Sequence, residues 1–133
     1  MGSKERKLHI LVVDCDEAAA EVTIAMLEHL GYTAQAETES LKALKTFSNE
    51  PDKFDLAIIE PVMPQLSGID LAVRFRQIRR GFSVMLYSGY IDNPLGERIE
   101  TAGLKGAIAK PLGLQELGVA VNIAARGPFI DIR

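Results

Sequence analysis

Short apolar runs alternate with segments of helical periodicity along nearly the whole chain, and this alternation restricts the fold to very few architectures. Five runs of strand length are predicted, at residues 8–13, 32–36, 54–59, 83–87 and 105–109. Helical segments follow them at about residues 17–30, 39–50, 67–79, 91–102 and 114–125. The pattern predicts βαβ units with right-handed crossovers, and therefore a doubly wound, three-layer α/β/α sandwich around a parallel sheet.

Two of the helical segments have apolar stripes that we expect to face the sheet. The stripe of the second helix consists of Leu41, Ala43, Leu44 and Phe47. The stripe of the third helix consists of Ile69, Leu71, Ala72, Phe75 and Ile78. Such spacing is typical of helices that cover a sheet.

Length and composition favour a single, cytoplasmic globular domain of ordinary apolar content. The chain has 133 residues and a net charge of -3, which gives general nucleic-acid binding little electrostatic support. A single cysteine, Cys15, excludes an internal disulfide framework and fits a reducing compartment. No apolar run is long enough to span a membrane. We expect an N-terminal extension or tag remnant at residues 1–7, the domain at 8–125 and a C-terminal tail at 126–133.

The polar side chains that follow four of the predicted strands are candidate site residues. Asp14 and Cys15 follow the first, Glu60 the third, Ser88 the fourth and Lys110 the fifth. By itself, Glu60 could be a solvent-exposed turn residue, because two prolines and a glycine follow it. In an open α/β sheet, however, ligands bind at the carboxyl ends of the strands. The acid, hydroxyl and amine groups at this edge therefore predict a functional site.

These residues resemble the receiver domain of two-component response regulators, over about residues 8–125. The motifs are Ile-Leu-Val-Val-Asp ending at Asp14, Glu60-x-x-Met63-Pro64-x-x-x-Gly68, Tyr87-Ser88-Gly89 and the pair Lys110-Pro111. The resemblance implies a flavodoxin-like sheet of order 2-1-3-4-5. It also implies that an aspartate accepts a phosphoryl group from a partner's phosphohistidine with the help of Mg²⁺. The segment around Ser88 looks most like receivers fused to hybrid sensor kinases.

The resemblance assigns a role to each matching position. Glu60 occupies the phosphoacceptor position, Ser88 matches the hydroxyl that reaches the phosphoryl oxygen, and Lys110 matches the amine that neutralises its charge. The implied metal-binding positions are Asp14, Cys15, Glu60 and the backbone carbonyl of Val62. Ala107 occupies the switch position, which is usually aromatic. Structural roles are implied for Pro64, Gly68 and Pro111, the last of which commonly follows a cis bond in this family.

Three positions depart from the family pattern, and two of them predict impaired or absent phosphorylation. Mg²⁺ prefers oxygen ligands, so a thiol at Cys15 removes a direct ligand and is expected to weaken metal binding. The extra methylene of Glu60 moves the carboxylate outward by roughly 1–1.5 Å. At that position we expect Glu60 to form an ion pair with Lys110 instead of accepting a phosphoryl group. Ala107 removes the usual read-out. We expect no other cofactor.

The resulting prediction is a signalling module rather than an enzyme. Its expected partners are a histidine kinase, a phosphotransfer domain or neighbouring domains of the same polypeptide, without nucleic acid or membrane binding by this domain alone. The face formed by the fourth and fifth helices and the fifth strand is a candidate homodimer interface. One alternative is a conventional phosphoacceptor receiver that uses an unusual site. Another is a small flavodoxin-like cofactor binder, which the acids after the first strand disfavour because they repel phosphate.

Overall fold

The computed structural model describes residues 7–89, 92–104 and 107–126. The five strands are β1 (His9–Val13), β2 (Thr33–Glu37), β3 (Leu56–Ile59), β4 (Val84–Ser88) and β5 (Ala107–Ala109). The α-helices in this part of the chain are α1 (Glu17–His29), α2 (Ser40–Asn49), α3 (Gly68–Ile78), α4 (Asn93–Thr101) and α5 (Leu114–Arg126). All strands are parallel in the order β2-β1-β3-β4-β5, which confirms the predicted fold.

The observed strands differ slightly in position from the predicted runs. β2 begins at Thr33 because the N–H of Tyr32 still belongs to the end of α1, where it donates to the carbonyl of Leu27. Gly31 permits this ending with a φ of 95°. Residues 105 and 106 of the fifth predicted run lie outside the described residues, as do residues 1–6 and 127–133 of the predicted extension and tail.

Both faces of the sheet are buried, which explains the continuous apolar runs of the central strands. In β1, Leu11 and Val13 face one apolar layer, while Ile10 and Val12 face the other. The first layer is covered by α2, α3 and α4, and the second by α1 and α5. None of the described helices has the length and hydropathy to cross a membrane.

The predicted inward stripes are wrong at two positions. Leu41 is 53% exposed, because the buried stripe of α2 runs through Ser40, Ala43 and Phe47 instead. Ile78 is 42% exposed and is the last residue of α3. Arg79 anchors that helix end through its guanidinium, which donates to the carbonyls of Pro51 and Phe54.

Candidate functional site

A cleft of about 720 Å³ lies at the carboxyl ends of the strands. It brings together all five polar residues expected there, Asp14, Cys15, Glu60, Ser88 and Lys110, and its lining also includes Val62. Backbone hydrogen bonds continue one residue beyond the strands and fix these positions. The N–H of Glu60 donates to Val13 O (2.9 Å), and the N–H of Lys110 donates to Ser88 O (2.7 Å). The sheet therefore positions the functional side chains directly.

Lys110 lies between two carboxylates, and we call this group of Asp14, Glu60 and Lys110 the polar centre. Its Nζ is 2.5 Å from Asp14 Oδ2 and 3.5 Å from Glu60 Oε1. The carboxylate of Asp14 has only 7% of its side-chain surface exposed. Burial would lower the pKa of Lys110, but the hydrogen bond and charge of Asp14, followed by those of Glu60, raise it. The lysine is therefore held in its charged form.

The remaining oxygens of both carboxylates are engaged by nearby backbone. Asp14 Oδ1 accepts from the N–H of Asp16 at 3.0 Å, and Glu60 Oε2 accepts from the N–H of Val62 at 3.3 Å. Each carboxylate thus has one oxygen on Lys110 and the other on its own chain segment. The arrangement satisfies the polar centre internally.

Sequence reasoning anticipated the contact between Glu60 and Lys110 but missed the closer one between Asp14 and Lys110. A signal for it exists in the strand order. Val13 pairs with Ile59 across β1 and β3, so the next residues, Asp14 and Glu60, lie side by side. Two adjacent carboxylates of low exposure favour a shared cation, and Lys110 follows the strand at the same edge and reaches both.

Cys15 is exposed and lies on the cleft next to Asp14. The neighbouring Asp16 does not replace the missing acid, because its carboxylate caps α1 by accepting from the N–H of Ala19 at 3.2 Å. Within residues 7–89, 92–104 and 107–126, no group of three or more His, Cys, Asp or Glu side chains is arranged to hold a metal ion. A thiol and two lysine-paired carboxylates do not fit the all-oxygen set that Mg²⁺ prefers.

The loop after β3, residues 60–67, approaches the start of α3 so closely that only glycine fits at position 68. A Cβ on Gly68 would lie 2.0 Å from the carbonyl oxygen of Glu60 and 2.8 Å from Ile59 Cγ2. The N–H of Gly68 also donates to Pro61 O at 2.8 Å. Gly68 therefore fixes where the chain turns away from Glu60, in agreement with its predicted structural role.

Ser40 holds the middle of the same loop, and sequence reasoning did not identify it. Its hydroxyl donates to Pro64 O (3.2 Å) and accepts from the N–H of Leu66 (3.1 Å). Only 1% of Ser40 is exposed. Between these two contacts, Gln65 adopts a left-handed backbone with a φ of 71°, which is uncommon outside glycine. The only sequence signal was a serine at a helix start, which ordinarily predicts a cap.

A second loop, after β5, fixes Lys110. The Lys110–Pro111 bond is cis, as the resemblance implies. The N–H of Leu112 donates to the hydroxyl of Tyr87 at 3.0 Å, and Lys110 Nζ lies 5.5 Å from the centre of the Tyr87 ring. Tyr87 is buried, and the sequence indicates it only as part of the motif Tyr87-Ser88-Gly89. It ties the loop after β5 to the adjacent strand β4.

Ser88 and Ala107 lie on neighbouring strands. Ser88 is the last residue of β4, is buried and lines the cleft. Ala107 is the first described residue of β5, pairs with Leu86 and packs against the apolar layer beneath α2, α3 and α4. Its methyl group occupies the place where the resemblance implies an aromatic side chain.

Comparison with known proteins places this geometry in a family. The model of the response regulator receiver domain family matches residues 10–122. Ethylene receptor 2 of rice (Oryza sativa subsp. japonica) is 27% identical over 114 residues, which cover 84% of this chain and 15% of the receptor. The putative two-component response regulator ARR21 of Arabidopsis thaliana is 30% identical over 106 residues, covering 80% of this chain and 17% of that protein.

Comparison with solved structures supports the same family assignment. A CheY-like receiver domain protein from Methanospirillum hungatei JF-1 superimposes with a TM-score of 0.82 at 25% identity, covering 91% of this chain and 95% of that one. By contrast, the chain spans less than a fifth of the length of the ethylene receptor and of ARR21. The fold, the strand order and the family match together show that this chain belongs to the response regulator receiver domain family.

Proposed function

We propose that this chain is a receiver-type signalling module of a two-component phosphorelay system in which phosphorylation at Glu60 is impaired or absent. The observation that carries the proposal is the bridging of Asp14 and Glu60 by Lys110. In this arrangement the acceptor position already has a cationic partner, so the module acts through protein–protein contacts rather than through a phosphoryl switch.

The chemistry of the site supports impaired transfer in two independent ways. Phosphoryl transfer depends mainly on positioning and charge stabilisation, and an error of about 1 Å can cost on the order of 100-fold in rate. The longer side chain of Glu60 introduces a displacement of that size. Cys15 supplies a thiol where the family binds Mg²⁺ with an acid, which weakens binding of the ion that assists transfer.

The polar centre also supports a module that does not switch between a phosphorylated and an unphosphorylated state. The Glu60 carboxylate lies further from its backbone than an aspartate would, and it contacts Lys110 at 3.5 Å. It thereby imitates part of a phosphorylated aspartate, although with one negative charge where a phosphoryl group carries close to two. The module is held in a single arrangement.

The proposed partners are a histidine kinase, a phosphotransfer domain or neighbouring domains of a longer polypeptide. The match to a small part of a much longer ethylene receptor supports the last of these. The face formed by α4, β5 and α5 remains a candidate homodimer surface, since Val119 of α5 is exposed beside a groove that includes Ile108 and Leu112. We also propose a cytoplasmic location, which the single exposed thiol of Cys15 fits.

Intact-mass measurement after incubation with a small-molecule phosphodonor and Mg²⁺ tests the proposal. The wild-type protein should keep its mass, whereas a variant with both Cys15→Asp and Glu60→Asp should gain one phosphoryl group. The double variant is the matched control, because it restores the acids that the family pattern expects. A stable phosphoryl adduct on the wild type that disappears in Glu60→Gln would overturn the proposal.

A further inference from the structure

The β2 edge of the sheet has backbone groups directed outward. β2 pairs with β1, and no other strand of the described residues lies beside it. The N–H of Thr33 donates to Leu8 O, and the carbonyl of Glu37 accepts from the N–H of Asp14. Because residues of a parallel strand direct their N–H and C=O groups alternately to either side, Ala34 and Ala36 direct theirs away from the sheet. These two residues present two donors and two acceptors.

The space beside this edge is open. A groove of about 320 Å³ runs between α1 and β2, with the small side chains of Ala34 and Ala36 on one side and Ile24 on the other. β2 pairs with β1 without a bulge over its whole length and contains neither proline nor lysine. Bulges, prolines and lysines commonly prevent an edge strand from pairing with another strand, and β2 has none of them.

The charged residues that line the groove are both acidic. The segment that contains α1 and β2, residues 8–41, has seven of the 18 acidic residues and none of the 15 Lys and Arg residues. Glu21 and Glu28 of α1 line the groove and are exposed. A second copy of this chain placed edge to edge would bring these acidic surfaces together, which is unfavourable. A basic partner would be attracted.

We propose that the β2 edge binds an extended basic segment of a partner protein, which adds to the sheet as a further strand. The backbone of the partner segment forms hydrogen bonds with the backbone of Ala34 and Ala36. The Lys or Arg side chains of the segment lie against Glu21 and Glu28. The inference specifies the protein–protein contacts of the proposed function, but it does not depend on whether Glu60 accepts phosphate. Its test is therefore separate from the mass measurement.

Titration of ¹⁵N-labelled protein with a synthetic peptide of alternating Lys and Val at low salt tests this proposal. The amide signals of β2 should shift saturably, and the amides of Ala34 and Ala36 should gain protection from hydrogen exchange. A matched peptide of alternating Glu and Val should leave them unchanged. Absence of saturable shifts at millimolar peptide, or shifts centred on the cleft or α5, would overturn the proposal.

Two sets of variants separate backbone pairing from charge. Ala36→Pro removes an outward N–H without removing a bond to β1, so it should abolish peptide binding. Glu21→Gln with Glu28→Gln should weaken binding about fivefold, the equivalent of two exposed ion pairs. Glu97 and Glu100 are exposed on α4, and the control pair Glu97→Gln with Glu100→Gln should change the logarithm of the peptide dissociation constant by less than about half as much.

Analytical ultracentrifugation of the protein without peptide tests whether a second copy of this chain, rather than a basic partner, occupies the β2 edge. Ala36→Pro should leave the oligomeric state at low salt unchanged, because two acidic β2 edges repel each other and a dimer through the face of α4, β5 and α5 does not involve β2. A dimer that Ala36→Pro dissociates would show that a second copy occupies the edge, and would overturn the assignment to a basic partner. Equal effects of the two glutamate pairs on peptide binding would also contradict it.

Discussion

The loop of residues 60–67 with its anchor Gly68, and the polar centre beside it, share one edge of the sheet but differ in their relation to the family pattern. The loop keeps Met63, Pro64 and Gly68, and a Cβ at position 68 has no room. At the cleft, Cys15 and Glu60 depart from the pattern. The residues that shape the loop thus follow the family pattern, whereas two residues of the cleft do not. In the function that we propose, the retained loop serves contacts with other proteins.

The largest expected effect comes from breaking the loop. Gly68→Ala places a Cβ 2.0 Å from the carbonyl oxygen of Glu60. Since neither atom can move without shifting the backbone, the free energy of unfolding should fall by about 3 kcal/mol or more. Urea denaturation measures the loss. The matched control is Gly96→Ala in α4, where a Cβ meets nothing within 4 Å; it should stabilise the protein by up to about 1 kcal/mol.

A smaller effect is expected from breaking the polar centre. Lys110→Met leaves Asp14 and Glu60 as adjacent, poorly exposed carboxylates without the cation that contacts both. The free energy of unfolding should fall by about 2–3 kcal/mol, below the range for a fully buried pair because the site is partly solvated. Adding Glu60→Gln to Lys110→Met should recover part of the loss, because it removes the repulsion. Strictly additive losses in this double-mutant cycle would show that Lys110 and Glu60 do not interact.

Ser40 offers a milder way to loosen the loop. Ser40→Ala removes the hydroxyl that contacts Pro64 and Leu66, and it should lower the free energy of unfolding by about 1–2 kcal/mol. Ser48→Ala, at an exposed position of the same helix, should change it by less than about 0.5 kcal/mol. Equal changes in the two variants would mean that Ser40 does not anchor the loop.

The smallest perturbation is titration of Lys110 itself. Burial lowers its pKa, but Asp14 and then Glu60 raise it above the ordinary lysine value. ¹³C NMR of the side-chain Cε should therefore show that Asp14→Asn lowers this pKa more than Glu60→Gln does. Because the pKa is raised on folding, the stabilisation is fully present below the ordinary lysine pKa and is lost as pH rises through the folded-state pKa. The reverse order of the two variants would contradict the ranking of the contacts.

The fold class and the strand-end positions of the candidate site residues followed from the sequence because strands and their ends are local patterns, whereas the strand order was implied by the resemblance. Asp14, Glu60, Ser88 and Lys110 each end a short apolar run, and parallel strands bring such ends to one edge. The resemblance also implied a structural role for Gly68, but it did not predict the close approach to the carbonyl of Glu60. The predicted features depend on position along the chain rather than on side-chain geometry.

What the sequence did not reveal depends on contacts between distant segments. The contact of Lys110 with Asp14 joins residues 96 positions apart, and Ser40 contacts a loop 24 to 26 residues away. Neither has a local pattern. Apolar spacing predicts Leu41 and Ile78 in the interior, but Leu41 lies off the buried stripe of α2, and Ile78 is the exposed last residue of α3.

The central claim is that Lys110, rather than a metal ion, balances the charge of Asp14 and Glu60. A Mg²⁺ titration followed by the amide signals of these three residues tests it most directly. In the wild-type protein the signals should remain unchanged at millimolar Mg²⁺, whereas in the variant with Cys15→Asp and Glu60→Asp they should shift saturably. A saturable shift in the wild type, as strong as in the variant, would contradict the claim.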